Sequence, residues 1–242
     1  MFTIFKKEVN QFLNSLLGYM VLVIFLVSTG LLFWVFPESS VLDYGFAEMA
    51  GFFGLTPFVF IFLIPAITMR TFAEEKKSGT LEWLLTKPLS DWDILLGKFF
   101  ACLFLVFLAL VPTIFYFWSL WVLGAPPGNI DAAGVSGSYL GLLMLAAVFS
   151  AIGIFGSSLT DNQLVAFVFS VFLCFLMYSG FGSLASINVW SSASSLIQYF
   201  GLDFHYQALG KGLIDIRDVL YFFSCTLALL FGTRIVLSSR RW

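Results

Sequence analysis

Ionisable residues are scarce in this chain: Asp, Glu, Lys and Arg make up 11% of 242 residues, and His205 is the only histidine. A lone His between Phe204 and Tyr206, with no Cys or His at ligand spacing, makes no metal site, and its expected role is packing. No serine stands in a Gly-x-Ser-x-Gly elbow, so neither a triad nor an intramembrane dyad is predicted, and no catalytic residue is expected. The phosphate-binding pattern Gly-x-x-x-x-Gly-Lys-Ser/Thr is missing too. Its nearest match, Gly210-Lys211-Gly212, has His205 where the upstream glycine belongs, so no ATP or other cofactor is expected in the chain itself. Basic residues form only short clusters, which excludes a nucleic-acid surface. The three cysteines, Cys102, Cys174 and Cys225, each fall inside an apolar run. Their odd number and placement exclude a disulfide framework. No second domain, low-complexity tract or clear internal repeat appears.

What the chain has in abundance is hydrocarbon: 60% hydrophobic residues, 31 of them Phe, and a mean hydropathy of +0.97. Those values define an integral membrane protein. Six runs, near 17–36, 51–69, 99–123, 139–159, 164–185 and 219–237, have about the 20 residues that a helix needs to cross some 30 Å of hydrocarbon. The predicted fold class is therefore all-α and polytopic. Ahead of the first run, Phe5, Val9, Phe12, Leu13, Leu16 and Leu17 recur at helical spacing opposite Lys6, Lys7, Asn10 and Asn14. This predicts an amphipathic interfacial helix over 2–16. Pro57, Pro65 and Pro112 should kink their spans. The fourth run is rich in small residues (Ala146, Ala147, Ser150, Ala151, Gly153, Gly156), which predicts close helix packing within the subunit.

The distribution of Lys and Arg sets the orientation. With a cytoplasmic N-terminus, Lys6, Lys7, Arg70, Lys76, Lys77, Lys87, Lys98, Arg234, Arg240 and Arg241 face inward and only Lys211 and Arg217 face outward, ten against two. That bias predicts both termini inside. An acidic outer loop holds Glu38, Asp43 and Glu48, and the outer segment 186–218 has an apolar middle too short to cross. A re-entrant or interfacial pair of short helices is expected there. The spans as drawn carry ionisable groups only near their ends. An ion-coupled transporter needs such groups at membrane depth, so the energy for any transport must enter from outside the chain.

The segment 74–98 organises the rest. Nine of its twenty-five residues are Lys, Asp or Glu, so it lies outside the bilayer. Thr80 is predicted to cap a short helix with Glu82 in its first turn. Leu81, Leu84 and Leu85 share one face with Trp83 nearby, Pro88 stops the helix, and Ser90 with Asp93 forms a capping box for the next one. An apolar face on a short cytoplasmic helix has no core of its own to bury. It is expected to meet lipid headgroups or another protein.

Glu75, Lys76, Ser78-Gly79-Thr80-Leu81-Glu82, Leu84-Leu85, Pro88-Leu89-Ser90 and Ile94-Leu95-Leu96-Gly97-Lys98 resemble the first cytoplasmic loop of ABC-2 type transporter permeases. The whole chain is similar to the gliding-motility-associated (GldF) branch of that family. The resemblance implies that the loop is a coupling helix seated in a cleft of a separate ATPase subunit. Its contact residues would be Glu74, Glu75, Gly79, Thr80, Leu81, Glu82, Trp83, Leu84, Leu85, Pro88, Leu89 and Ser90. The turn Thr160, Asp161, Asn162 and Gln163 would be a minor second contact. Also implied are ATP and Mg in the partner, two ATPase copies, and a second six-span half that is either a copy of this chain or another membrane subunit. The expected location is the bacterial inner membrane, and the expected function is ATP-driven export linked to gliding motility. The alternative is a membrane component that transports nothing and passes ATPase-driven movement to an envelope machine.

Overall fold

In hydrocarbon a backbone must satisfy its own N–H and C=O groups, and a helix does so within a single segment. The computed structural model describes residues 1–36, 40–186, 194–212 and 215–239, and every regular element among them is helical. Six helices are long and apolar enough to cross a membrane: Leu16–Trp34, Ala50–Lys77, Asp91–Leu123, Ala132–Leu159, Gln163–Ala185 and Ile216–Ser238. The fold is the all-α polytopic one that the hydropathy predicts. Glu38, Arg240 and Arg241 lie outside the described residues, as do residues 187–193 and 213–214 of the outer segment.

The chain opens with α1 (Phe2–Leu13) and α2 (Leu16–Trp34). The amphipathic helix expected over 2–16 thus ends early. Ser15 breaks it: its hydroxyl donates to Phe12 O at 2.7 Å and accepts from Gly18 N at 3.0 Å, capping α2. The face that α1 buries is also shifted. Ile4, Val9 and Phe12 are buried, while Leu16 is exposed. That face packs on α7 (Asp91–Leu110). Gly97 permits the approach, since a Cβ there would lie 3.0 Å from both Ile4 Cβ and Met1 O.

Beyond the short α3 (Val41–Tyr44), α4 (Ala50–Thr68) is followed after Met69 by α5 (Arg70–Lys77) and then by α6 (Thr80–Leu85). Both Pro57 and Pro65 sit inside α4, which stays helical through them. Proline lacks an N–H, so Pro57 strands the carbonyl of Phe53. The Tyr206 hydroxyl donates to it at 2.8 Å. At Pro112 the helix does change, to a 3₁₀ turn (Val111–Thr113) between α7 and α8 (Ile114–Leu123).

Helix α9 (Ala132–Leu159) is the centre of the bundle and contacts α4, α5, α7, α10 (Gln163–Phe175), α13 (Leu202–Gly210) and α14 (Ile216–Ser238). Its small residues are what allow this. A Cβ on Gly153 would lie 1.8 Å from Thr68 Oγ1, and one on Gly156 would lie 2.4 Å from Ser170 Oγ. The small-residue stripe therefore packs within the chain. A π-helical turn (Leu176–Gly180) joins α10 to α11 (Phe181–Ala185), and α12 (Ser194–Tyr199) precedes α13 at the end opposite α6. His205 is fully buried there, with Nδ1 2.6 Å from Asp218 Oδ1, Nε2 2.9 Å from Tyr199 O, and its ring stacked on Tyr221. It is a packed histidine that fixes α13 to α14.

Candidate functional site

Two short helices and a restart make up the charged segment. Gly79 adopts φ 68°, the left-handed conformation that ends α5 and that glycine adopts without a Cβ penalty. Gly79 is the N-cap of α6, and Thr80 is its first residue rather than its cap. The Thr80 hydroxyl instead meets Ser78 Oγ at 2.8 Å and Glu75 O at 3.4 Å, knotting the turn. α6 ends at Leu85, before Pro88 is reached, and Glu82 stands in its first turn. The capping box of α7 has both hydrogen bonds: Ser90 Oγ accepts from Asp93 N at 3.1 Å, and Ser90 N donates to Asp93 Oδ2 at 3.3 Å.

The residues expected to meet a partner divide into two groups. Leu81 is 3% exposed and joins the core, while Trp83 beside it is 78% exposed. Gly79, Thr80, Glu82, Pro88 and Ser90 are exposed, and Glu74, Leu84 and Leu89 are half-buried. The Leu85 side chain lies outside the described structure. Glu75 turns inward, its side chain only 12% exposed. The exposed surface of α6 is therefore built around Trp83, and Leu81 roots the helix in the body of the protein. Near it, the turn at residues 160–163 links α9 and α10, both of which touch α5. Thr160 Oγ1 accepts from Asn162 N at 3.1 Å and Asn162 Oδ1 accepts from Leu164 N at 2.9 Å, which leaves Asp161 and Asn162 exposed.

Beneath α6, α5 is fastened on two sides. The first N–H groups of any helix lack intrahelical partners, and Met69, the N-cap of α5, supplies none. Ser157 on α9 does so instead. Its hydroxyl accepts from Phe72 N and Ala73 N, both at 3.0 Å, and donates to Met69 O at 2.9 Å. One side chain thus caps a helix that belongs to a different span. At the other end of α5, the Lys76 ammonium donates to Ser158 O, in the last turn of α9, where a cation complements the helix dipole.

On its other side α5 joins a buried ion cluster. Lys98 is 0% exposed. Its ammonium donates to Glu8 Oε1 at 2.8 Å and to Thr71 O at 2.6 Å, pairs with Glu75 Oε2 at 3.0 Å, and stands 5.0 Å above the Phe72 ring. Lys7 donates to Glu75 Oε1 at 2.8 Å. Burial acts to lower the Lys7 pKa, but the hydrogen bond and charge of Glu75, with that of Glu8, outweigh it and raise the value above the usual lysine range. Two cations and two carboxylates balance, which lets Lys98, Glu8 and Glu75 leave water together, while Lys7 stays half exposed at the edge of the cluster. Arg70 adds a further pair to Glu74, 2.8 Å apart. The cluster borders a cleft of about 340 Å³. In this way α1, α5 and α7 are held at one point.

The hydropathy starts the third span at Phe99 and leaves Lys98 among the flanking charges. The helix starts at Asp91, so Lys98 lies two turns inside it and faces protein. The signal for this was present: Ile94, Leu95 and Leu96 precede Lys98, so the helix is already apolar before the lysine is reached. For Glu8, Lys7 and Ser157 no local pattern gives the role, because their partners are 68 to 90 residues away. Among the described residues, no group of three His, Cys, Asp or Glu could hold a metal ion.

Comparison with known families matches residues 3–217 to the model described as ABC-2 family transporter protein. No curated protein matches the sequence.

Proposed function

The chain belongs to the ABC-2 transporter family, and we propose that its charged end is where a separate ATPase drives the six-span body. A multi-pass permease subunit of this family works with an ABC ATPase, so the question is where the two meet. The observation that carries the proposal is the asymmetry of α6, with Trp83 78% exposed and Leu81 3% exposed one turn from the body of the protein. A large aromatic projecting from a rooted helix is the side-chain type that dominates protein contacts. The turn at 160–163 supplies a second, polar contact beside it.

Force applied to α6 passes to α5 through the buried Leu81. From there it divides: Ser157 and Lys76 carry it to α9, and Glu75 with Lys98 carries it to α7 and α1. The helices that receive it include the central one, so displacement of α6 repacks the bundle. ATP and Mg would be bound by the partner. Two ATPase copies would serve two six-span halves, the second being a copy of this chain or another membrane subunit. The Lys and Arg bias supports a cytoplasmic position for this end, and the proposed location is the bacterial inner membrane. The finer assignment, an exporter linked to gliding motility, rests on the resemblance of the loop and chain to that branch.

The test is Trp83→Asp/Leu84→Asp, with retention of the co-expressed ABC ATPase measured against membrane abundance. Losing one buried apolar side chain costs about 1.5–3 kcal/mol, or roughly tenfold or more in affinity. Retention should therefore fall by two or more powers of ten while abundance holds. Wild-type retention by an abundant double variant removes this surface as the contact. With the intact complex in sealed vesicles, ATP hydrolysis without vectorial movement of solute would assign the chain to force transmission rather than transport.

A further inference from the structure

The end opposite α6 contains a cavity of about 500 Å³, mostly apolar with a few polar groups, between α4, α9, α13 and the π-helical turn. Small ligands bind in concave sites whose apolar walls carry a few convergent polar groups. A π turn within a transmembrane helix recurs at functional sites, and this one contributes Tyr178 and Ser179 to the cavity wall. Three rings stand together in the wall. Phe58 and Tyr178 have centroids 5.6 Å apart and planes at 88°, and Tyr178 and Tyr206 have centroids 6.4 Å apart. The Tyr206 hydroxyl is already committed to Phe53 O, so this residue adds only its ring to the cavity wall.

Two opposite charges complete the lining. Asp203 accepts from Gln207 Nε2 at 2.8 Å through Oδ2 and lies within electrostatic reach of the Tyr178 and Tyr206 hydroxyls. Lys211, the C-cap of α13, lines the same cavity, about 12 Å further along at a rise of 1.5 Å per residue. Among the described residues neither Asp203 nor Lys211 forms an ion pair. Aromatic faces beside a carboxylate attract an organic cation. Lys211 opposes a ligand that is only cationic, and Asp203 opposes one that is only anionic.

We propose that this cavity binds a zwitterion, its ammonium among Phe58, Tyr178 and Tyr206 beside Asp203 and its phosphate or carboxylate against Lys211. The proposal concerns binding alone and stands whether or not the charged end docks an ATPase. Such a ligand is available as a soluble molecule or as a lipid headgroup. The experiment uses full-length protein in maltoside micelles and saturation-transfer NMR, read at the trimethylammonium protons or, for the probe without that group, at the glycerol protons. The probes are glycerophosphocholine and dihexanoylphosphatidylcholine, with choline and glycerol 3-phosphate as single-charge controls. Binding of glycerophosphocholine indicates a soluble zwitterion, and binding of the lipid probe alone indicates a headgroup on its chains. In either case Asp203→Asn and Lys211→Gln, both at the partly open rim, should each weaken binding by about tenfold without altering elution or melting. The proposal is overturned if neither zwitterion binds, if a single-charge control binds as tightly, or if both variants bind like wild type.

Discussion

Replacing Lys98 with methionine tests the central joint directly. The side chains are close in volume, so Lys98→Met removes a charge and a donor without opening a cavity. What remains is Glu8 and Glu75, two carboxylates formerly within 2.8 and 3.0 Å of the same ammonium, and a Thr71 carbonyl without its donor. Lys7 stays paired with Glu75, so one of the two carboxylate charges is left uncompensated, and breaking a buried ion pair from one side costs about 3–5 kcal/mol. At about 2–4 °C per kcal/mol for a chain of this size, melting should fall by roughly 6–20 °C. The buried thiols Cys102 and Cys174 allow a thiol-reactive dye to follow unfolding in detergent. Amide exchange should rise most in α1, which loses its anchor. The triple variant Glu8→Gln/Glu75→Gln/Lys98→Met should recover most of the loss, since it removes the charges together. A Lys98→Met protein melting within about 2 °C of wild type, less than 1 kcal/mol, would refute the view that this cluster holds the joint.

Two further predictions concern the same end. Ser157→Ala strands the buried N–H groups of Phe72 and Ala73, at about 1–3 kcal/mol each. Exchange across α5 should then quicken by roughly one to two powers of ten, and unchanged protection in peptides covering this helix would refute the capping role. Lys7 has a raised pKa when folded, so the stability it adds is present below the unfolded value and lost as pH rises through the folded one. The melting difference between wild type and Lys7→Gln should be flat near neutral pH and shrink only above 10.5. A difference that vanishes already between neutral and mildly alkaline pH would show that Lys7 gains nothing from Glu75.

Features set by local periodicity were legible before any coordinates. Six apolar runs gave six crossings, and Ser90 with Asp93 gave the start of α7. The interior of the charged segment was less so. Leucines at i, i+3 and i+4 define a face but not what it meets, and Leu81 turned out to root α6 in its own chain. Glu75 carries the composition of a solvated loop, yet its carboxylate pairs with residues 68 positions before it and 23 after it. Ser157 resembles any small residue in a tightly packed span, and its role depends on where α5 breaks. Side chains that join distant segments leave no trace in a window of eighteen residues. Only the apolar run ahead of Lys98 hinted at one of them.

The spacing of the ion cluster along the chain also sets an order of assembly. Glu8 is translated 90 residues before Lys98, an interval of roughly 5–18 s at ordinary elongation rates. Until the third span emerges, α1 lacks the α7 surface it packs on and Glu8 lacks Lys98. During that interval an amphipathic helix rests at the membrane surface, where its apolar face finds lipid. The interfacial position that the sequence predicts for α1 accords with that stage. Arrival of Lys98 closes the joint, so a ribosome stalled before that point would leave the N-terminal helix open to proteases.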